Sequence, residues 1–227
     1  MKLGTLGLMP LIAMVACQPQ STAQIPQDKG MEPFAKDKEF HKAHTLREPT
    51  GVAPKGKEVV LKVGESKVKC YWNAPKEGQG QVVLMIHEWW GLNDNIRETA
   101  DALGKETGYG VLAVDLYEGK VAKNADEAAK AMAAVNATKA SATVNAAIRA
   151  IKNGVDGTKP ASKFGTIGYC FGGGWSHKAA IMGGKDVQAC VIYYGMPVIA
   201  PGAVSYTHLD VYKRQERRCR RRGTPGR

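Results

Sequence analysis

Apolar residues along this chain change period from one segment to the next, and the changes define its elements. The runs VVLKV (59–63) and KVKCYW (67–72) flank the turn GES and predict a β-hairpin. Residues 81–87, QVVLMIH, form an unbroken apolar run of the kind a strand buried on both faces shows. The segment NDNIRETADALGKETGYG (93–110) opens on Asn and Asp and repeats Ile96, Ala100 and Leu103 at helical spacing. It stops at Gly108 and Gly110, so a capped amphipathic helix is predicted. GVLAVDLY (110–117) predicts a second buried strand. The alanine-rich stretch 125–152 has Asp126 and Glu127 near its start and Arg149 and Lys152 near its end, the order a helix dipole favours. Beyond Pro160, FGTIGY (164–169) reads as a strand, GGGWSHKAAIM (172–182) as a helix and VQACVIYYG (187–195) as a strand. Strands alternating with helices imply right-handed crossovers and a mostly parallel sheet with helices on both faces, an α/β fold.

This alternation is confined to the middle of the chain. MKLGTLGLMPLIAMVAC (1–17) has one lysine and then an apolar run too short to span a bilayer, the pattern of an export signal. Its end, MVAC, resembles the lipobox of bacterial lipoproteins, and that resemblance implies lipidation of Cys17. The expected location is the cell envelope, with the protein exported, lipid-anchored to the membrane and facing the periplasm. Residues 18–57 mix Gln, Pro, Lys and Gly without an apolar period and read as a flexible tether.

Charge changes the picture at the other end. A formal net charge of +11 would suggest nucleic acid or an anionic membrane as partner. From Val204 onward, however, eight basic residues stand against two acidic ones, so this tail carries six of the eleven charges. Within it, VSYTHLDVYKRQ (204–215) back-translates to a self-complementary stretch with the form of two transposon-end tags from library preparation, joined head to head. Residues 204–227 are therefore expected to be an artefactual tail, and no nucleic-acid partner is expected. The five cysteines show no CxxC and no His/Cys zinc spacing, so no metal site is expected either.

The chemistry concentrates in two stretches. In GTIGYCFGGGW (165–175), Cys170 falls between a predicted strand and a predicted helix, where reactive groups of parallel sheets gather. Gly168-x-Cys170-x-Gly172 has the shape of the G-x-S-x-G nucleophile elbow with cysteine in place of serine. The helix N-terminus would favour the thiolate and supply oxyanion donors. An ordinary buried thiol at a strand end is the competing reading. In HEWWGLNDNIRE (87–98), Glu88 follows a buried strand at the position of a second oxyanion donor. His87 could be a satisfied loop histidine, and Trp89 and Trp90 either core or pocket wall. His177 is expected at the surface or within the helix.

Together, VVLMIHEWWGLNDNIRETADAL, GVLAVDLYEG, GTIGYCFGGG and ACVIYYG, in this order, resemble the dienelactone hydrolase family over residues 58–197. The resemblance implies the α/β-hydrolase fold and cleavage of a small-molecule lactone or carboxylic ester. It makes Cys170 the nucleophile and Glu88 the glutamate beside it. The backbone N–H groups of Phe171 and Trp89 become the oxyanion hole, and Trp90 a weaker pocket candidate. No cofactor or metal is implied. The family's triad is completed by an Asp and then a His from later strands, and those C-terminal strands have no counterpart here. His208 and Asp210 come in the wrong order and too early to take these roles. The expected organisation is thus a signal (1–17), a tether (18–57), a partial hydrolase domain (58–203) with an exposed edge, and the tail (204–227). The chain as written is expected to fold poorly and to hydrolyse little. Two competing functions remain: a thiol-redox protein with Cys190 as the resolving thiol, and a non-catalytic lipoprotein scaffold.

Overall fold

The computed structural model describes residues 37–77 and 80–197. Cys17 with its leader, residues 18–36 of the expected tether and the 204–227 tail lie outside the described residues.

A short helix, α1 (Lys38–Ala43), precedes the hairpin of β1 (Lys57–Val63) and β2 (Ser66–Asn73). Then follow β3 (Val82–Ile86), α2 (Asp94–Thr107), β4 (Gly110–Val114), α3 (Ala125–Ala133), α4 (Ala137–Asn153), β5 (Phe164–Tyr169), α5 (Phe171–Gly183) and β6 (Val187–Tyr193). The six strands form one sheet in the order β1-β2-β4-β3-β5-β6. β2 runs antiparallel to β1 and β4, while the β3–β4, β3–β5 and β5–β6 pairings are parallel. This is the mostly parallel sheet that the alternation predicts.

Strand period explains how both faces become covered. Along β3, Leu84 and Ile86 join a core with Leu112, Val144, Ile148 and Trp175, which α4 and α5 close. Met85 points the other way, into a core with Val111, Ala113, Ile96 and Ala100 under α2. Every residue of β4 is buried. Withdrawing a leucine such as Leu84 or Leu112 from water stabilises the fold by about 1.5–3 kcal/mol. α2 begins where the Asn93 side chain accepts the Ile96 N–H at 3.1 Å and ends at Gly108, whose φ of 74° breaks the helix. The alanine-rich stretch forms two helices, because Asn136 leaves the helical path and caps α4 through the Lys139 N–H.

The first described residues depart from the tether expectation. Asp37 caps α1, and Phe40, only 9% exposed, packs in the main core. Farther on, the Thr50 and Lys55 N–H groups bond to Glu98 and Asp101 of α2, and Gly56 N–H to the Tyr71 hydroxyl. The domain therefore includes this segment. One buried aromatic in a polar stretch suffices to seat it, and that leaves no apolar period to read.

β6 is the edge of the sheet formed by the described residues, and Val191, Tyr193 and, just beyond the strand, Tyr194 and Met196 are exposed.

Candidate active site

The chain leaves β3 for β4 on one side and returns to β5 on the other, and such a reversal opens a crevice at the C-terminal strand ends. Parallel pairing sets Ile86 of β3 opposite Gly168 of β5. Two residues beyond each, Glu88 and Cys170 leave the sheet side by side.

Cys170 sits at φ 53°, ψ −118°, between β5 and the first turn of α5. A non-glycine residue there costs of order 1–3 kcal/mol, so the surroundings must hold it. They do so through Cys170 N–H donating to the Tyr193 carbonyl and Gly173 N–H donating to the Cys170 carbonyl, both at 2.9 Å. The glycines around it answer to close approach. A Cβ on Gly168 would strike the Gly172 carbonyl, one on Gly172 the carbonyls of Ile86 and His87, and one on Gly173 the Gly195 Cα and the Ile192 side chain. GYCFGGG is thus a turn packed backbone against backbone, with the Cys170 thiol at its strained point.

The thiol is fully buried, and its pKa is pushed up to about 12. Burial is the main cause and the Glu88 charge adds to it, while hydrogen bonds from the backbone N–H groups of Phe171 and Trp89 pull it down. The expectation that the helix N-terminus favours the thiolate is therefore corrected: desolvation and a neighbouring carboxylate outweigh the donors, and the resting group is the neutral thiol. The same two N–H groups, from α5 and from the loop after β3, act on the thiol. An oxyanion forming on a carbonyl attacked by Sγ would lie beside them.

Glu88 is half-buried, and its Oε1 accepts a hydrogen bond from the Tyr194 hydroxyl at 2.8 Å. Tyr194 has φ 39°, a second strained residue at the same crevice, and lies against Tyr169 with ring centroids 6.3 Å apart. Partial desolvation where its ring faces Tyr169 and Glu88, together with the Glu88 charge, raises the phenol of the largely exposed Tyr194 above its ordinary range.

His87 is fully buried and committed to structure. Its Nδ1 contacts the Glu88 carbonyl at 2.5 Å, and its Nε2 accepts the Leu116 N–H at 3.1 Å. An acceptor at Nε2 fixes the neutral ring, and burial holds its pKa below the usual value. Trp89 and Trp90 are both core, packed edge to face with centroids 4.9 Å apart. His177 lies on α5 but is buried, not at the surface, and neither ring nitrogen has a hydrogen-bond partner among the described residues.

Two features of the crevice escape the sequence. Tyr194 follows a strand whose partner is unknown until the sheet is assembled, although the doubled tyrosine of VIYYG is a signal of sorts. The α1 segment brings Phe40, His41 and His44 against Trp89. The resolving role expected of Cys190 fails on register. Thr166 pairs with Cys190 and Tyr169 with Tyr193, so Cys190 lies four residues back along β6 from the point opposite Cys170. That is roughly 13 Å, while disulfides need Cα atoms within about 7 Å.

Comparison with known proteins bears on the fold and the family. Protein usf of Aquifex pyrophilus is 37% identical over 152 residues, covering 63% of this chain and 63% of that protein. A provisionally named carboxymethylenebutenolidase of Aquifex aeolicus is 33% identical over 148 residues, 63% of this chain and 62% of its own length. The chain thus spans somewhat less than two thirds of these relatives. Among solved structures, a provisionally assigned dienelactone hydrolase from Klebsiella pneumoniae superposes with a TM-score of 0.52 at 21% identity, over 66% of this chain and 63% of that one. A dienelactone hydrolase-like promiscuous phosphotriesterase from metagenomic libraries gives 0.51 at 19%, over 73% and 77%. At these identities the superpositions establish the α/β-hydrolase fold. The sequence profile of the dienelactone hydrolase family matches residues 68–215, a range that holds both crevice loops, the elbow and β6 and runs on past residue 203. With the hydrolase sheet, the cysteine elbow and that match in agreement, the chain belongs to the dienelactone hydrolase family.

Proposed function

We propose that the protein is a carboxylic ester or lactone hydrolase that works through a Cys170 acyl-enzyme. The observation that carries this reading is the strained elbow that sets Cys170 between β5 and α5 beside the Glu88 loop, with the Phe171 and Trp89 N–H groups acting on its thiol. In the reaction the Cys170 proton passes to a carboxylate, and Glu88 is the carboxylate whose charge acts on the thiol. Sγ forms a bond to the substrate carbonyl carbon, and the oxyanion is held by the two N–H groups. Collapse expels the alkoxide, which takes up a proton and leaves a thioester. Water then cleaves the thioester and returns the thiol. That second step needs a base poised over the acyl carbonyl.

The test is to treat the protein with p-nitrophenyl acetate and map the acetyl group by peptide mass. Acetyl on Cys170, absent after Cys170→Ser, is expected. Acetylation confined to other residues would remove the cysteine nucleophile.

The MVAC motif supports a further part of this reading: lipid on Cys17, export, and a tether holding the domain off the membrane surface. Cys17→Ala should then move the expressed protein from the detergent phase to the aqueous phase; equal partitioning of both forms would remove it. That residues 204–215 can be back-translated into a self-complementary stretch supports reading 204–227 as adapter-derived. Reading the gene across codons 195–227 decides that point, since a native frame would continue without the palindrome.

A further inference from the structure

The segment before the hairpin touches both sides of the crevice. Phe40 packs edge to face on Trp89 with centroids 5.1 Å apart, and it stacks on His44 at 3.9 Å. His44 Nδ1 contacts the Phe40 carbonyl at 2.9 Å, which fixes the ring at the end of α1. From there it meets Trp89 at 6.3 Å on one side and Tyr194 at 5.8 Å on the other. Each of these neighbours touches the chemistry. Trp89 supplies a backbone N–H to Cys170 Sγ, and Tyr194 holds the Glu88 carboxylate through its hydroxyl. One short helix therefore rests on the donor side and the carboxylate side of the thiol at once.

We propose that α1 is a clamp of the active site, in which Phe40 and His44 are positioning residues that hold Trp89 and the Tyr194–Glu88 pair around Cys170. Packing alone would account for a buried phenylalanine. It does not account for the bridge that His44 makes between Trp89 and Tyr194, whose own backbone is held at a positive φ. Strain of this kind persists only where surrounding contacts over-determine it. The clamp rests on the acyl-enzyme reading for its role in catalysis, but its geometric effect on the thiol can be read separately.

The experiment compares two reactions of Cys170 in the full chain, each followed by peptide mass. Acylation by p-nitrophenyl acetate passes through an oxyanion and needs the Trp89 N–H in place, whereas alkylation by iodoacetamide forms no oxyanion and reports access and ionisation. In Phe40→Ala the crevice opens and Trp89 loses its support. Alkylation at pH 8 should rise severalfold, and acylation should fall about tenfold or more, toward the roughly 10²–10³-fold lost when an oxyanion donor is removed outright. Phe40→Tyr, which keeps the ring, should restore both. Rates that do not change, or that change together by one factor, would overturn the clamp. Cys70, buried in β2, serves as the internal control. If its alkylation also accelerates, the domain has loosened, and His44→Ala takes the place of Phe40→Ala with the same expected divergence. Should the wild-type chain show no acetyl on Cys170, the hydrolase reading fails by itself, and alkylation alone judges the clamp: faster in the variant supports it, unchanged refutes it.

Discussion

Replacing Glu88 by Gln separates the ease of ionising Cys170 from the role that the proposed mechanism gives this carboxylate, accepting the thiol proton. The thiol is raised from 9.0 to about 12. That rise amounts to about 4 kcal/mol against the thiolate and leaves roughly one sulfur in ten thousand ionised at pH 8. Burial is its largest cause; the Glu88 charge contributes less, and less than the opposing Phe171 N–H. Its removal should therefore lower the thiol pKa by about one unit at most, a gain of up to about tenfold in thiolate. A less basic sulfur is also a weaker nucleophile, so the net gain in alkylation at pH 8 is about threefold. Acylation should move the other way. Loss of a positioned proton acceptor costs about 10²–10⁴-fold, and only a small part of that is recovered from the easier ionisation. The assay is the pair of peptide-mapped rates on Cys170, with iodoacetamide and with p-nitrophenyl acetate, from pH 7 to 9. Alkylation that slows in Glu88→Gln, or acylation that keeps pace with it, would refute both the electrostatic account of the thiol and the role given to the carboxylate.

Two further substitutions probe the frame around the thiol. Gly172→Ala drives a methyl group into the backbone carbonyls of Ile86 and His87, which yield only if β3 moves. A loss of about 2–4 kcal/mol in urea melts, with loss of Cys170 acylation, is expected; stability unchanged to within about 0.5 kcal/mol would show the elbow to be loosely packed. His87 and His177 are both held below 6.5 by burial. Their contribution to stability is full above about pH 6.5 and is lost as pH falls through their lower folded values, because the unfolded chain takes up protons that the folded one refuses. Urea melts between pH 5 and 8 should show this slope, reduced in His87→Gln, which would also destabilise at every pH by leaving buried partners unpaired. A slope identical to wild type would mean that His87 takes its proton readily in the folded state.

The sequence makes most of the architecture legible because each buried element carries its own period. β3 and β4 are buried on both faces and read as unbroken apolar runs, and Asn93 and Gly108 mark the ends of α2. Cys170 is legible for a related reason: a strained turn against neighbouring backbone demands glycine, and glycines set this densely after a strand mark such a turn. The charge state of that cysteine is not legible. A helix N-terminus is a local feature and argues for thiolate, whereas the burial and the Glu88 carboxylate that win come from a loop 82 positions earlier and from the assembled core.

The same distinction between local and assembled features explains what the clamp adds. β3 pairs with β5 even though β4 intervenes in sequence, and only that register places Glu88 beside Cys170. Likewise Tyr194 meets Glu88 across 106 residues, and Phe40 meets Trp89 from a segment whose composition reads as linker. Contacts of this range do little to specify the fold, since a single hydroxyl bond or ring pair is worth on the order of 1 kcal/mol. Their effect on the thiol can be far larger, because displacing one oxyanion donor costs about 10²–10³ in rate. For His44 and Tyr194, whose contacts are single ring pairs and one hydroxyl bond, stability therefore gives the weaker signal and Cys170 reactivity the stronger. For that reason the paired alkylation and acylation rates, and not the melting curve, are the measurement that can tell a clamp from a packed linker.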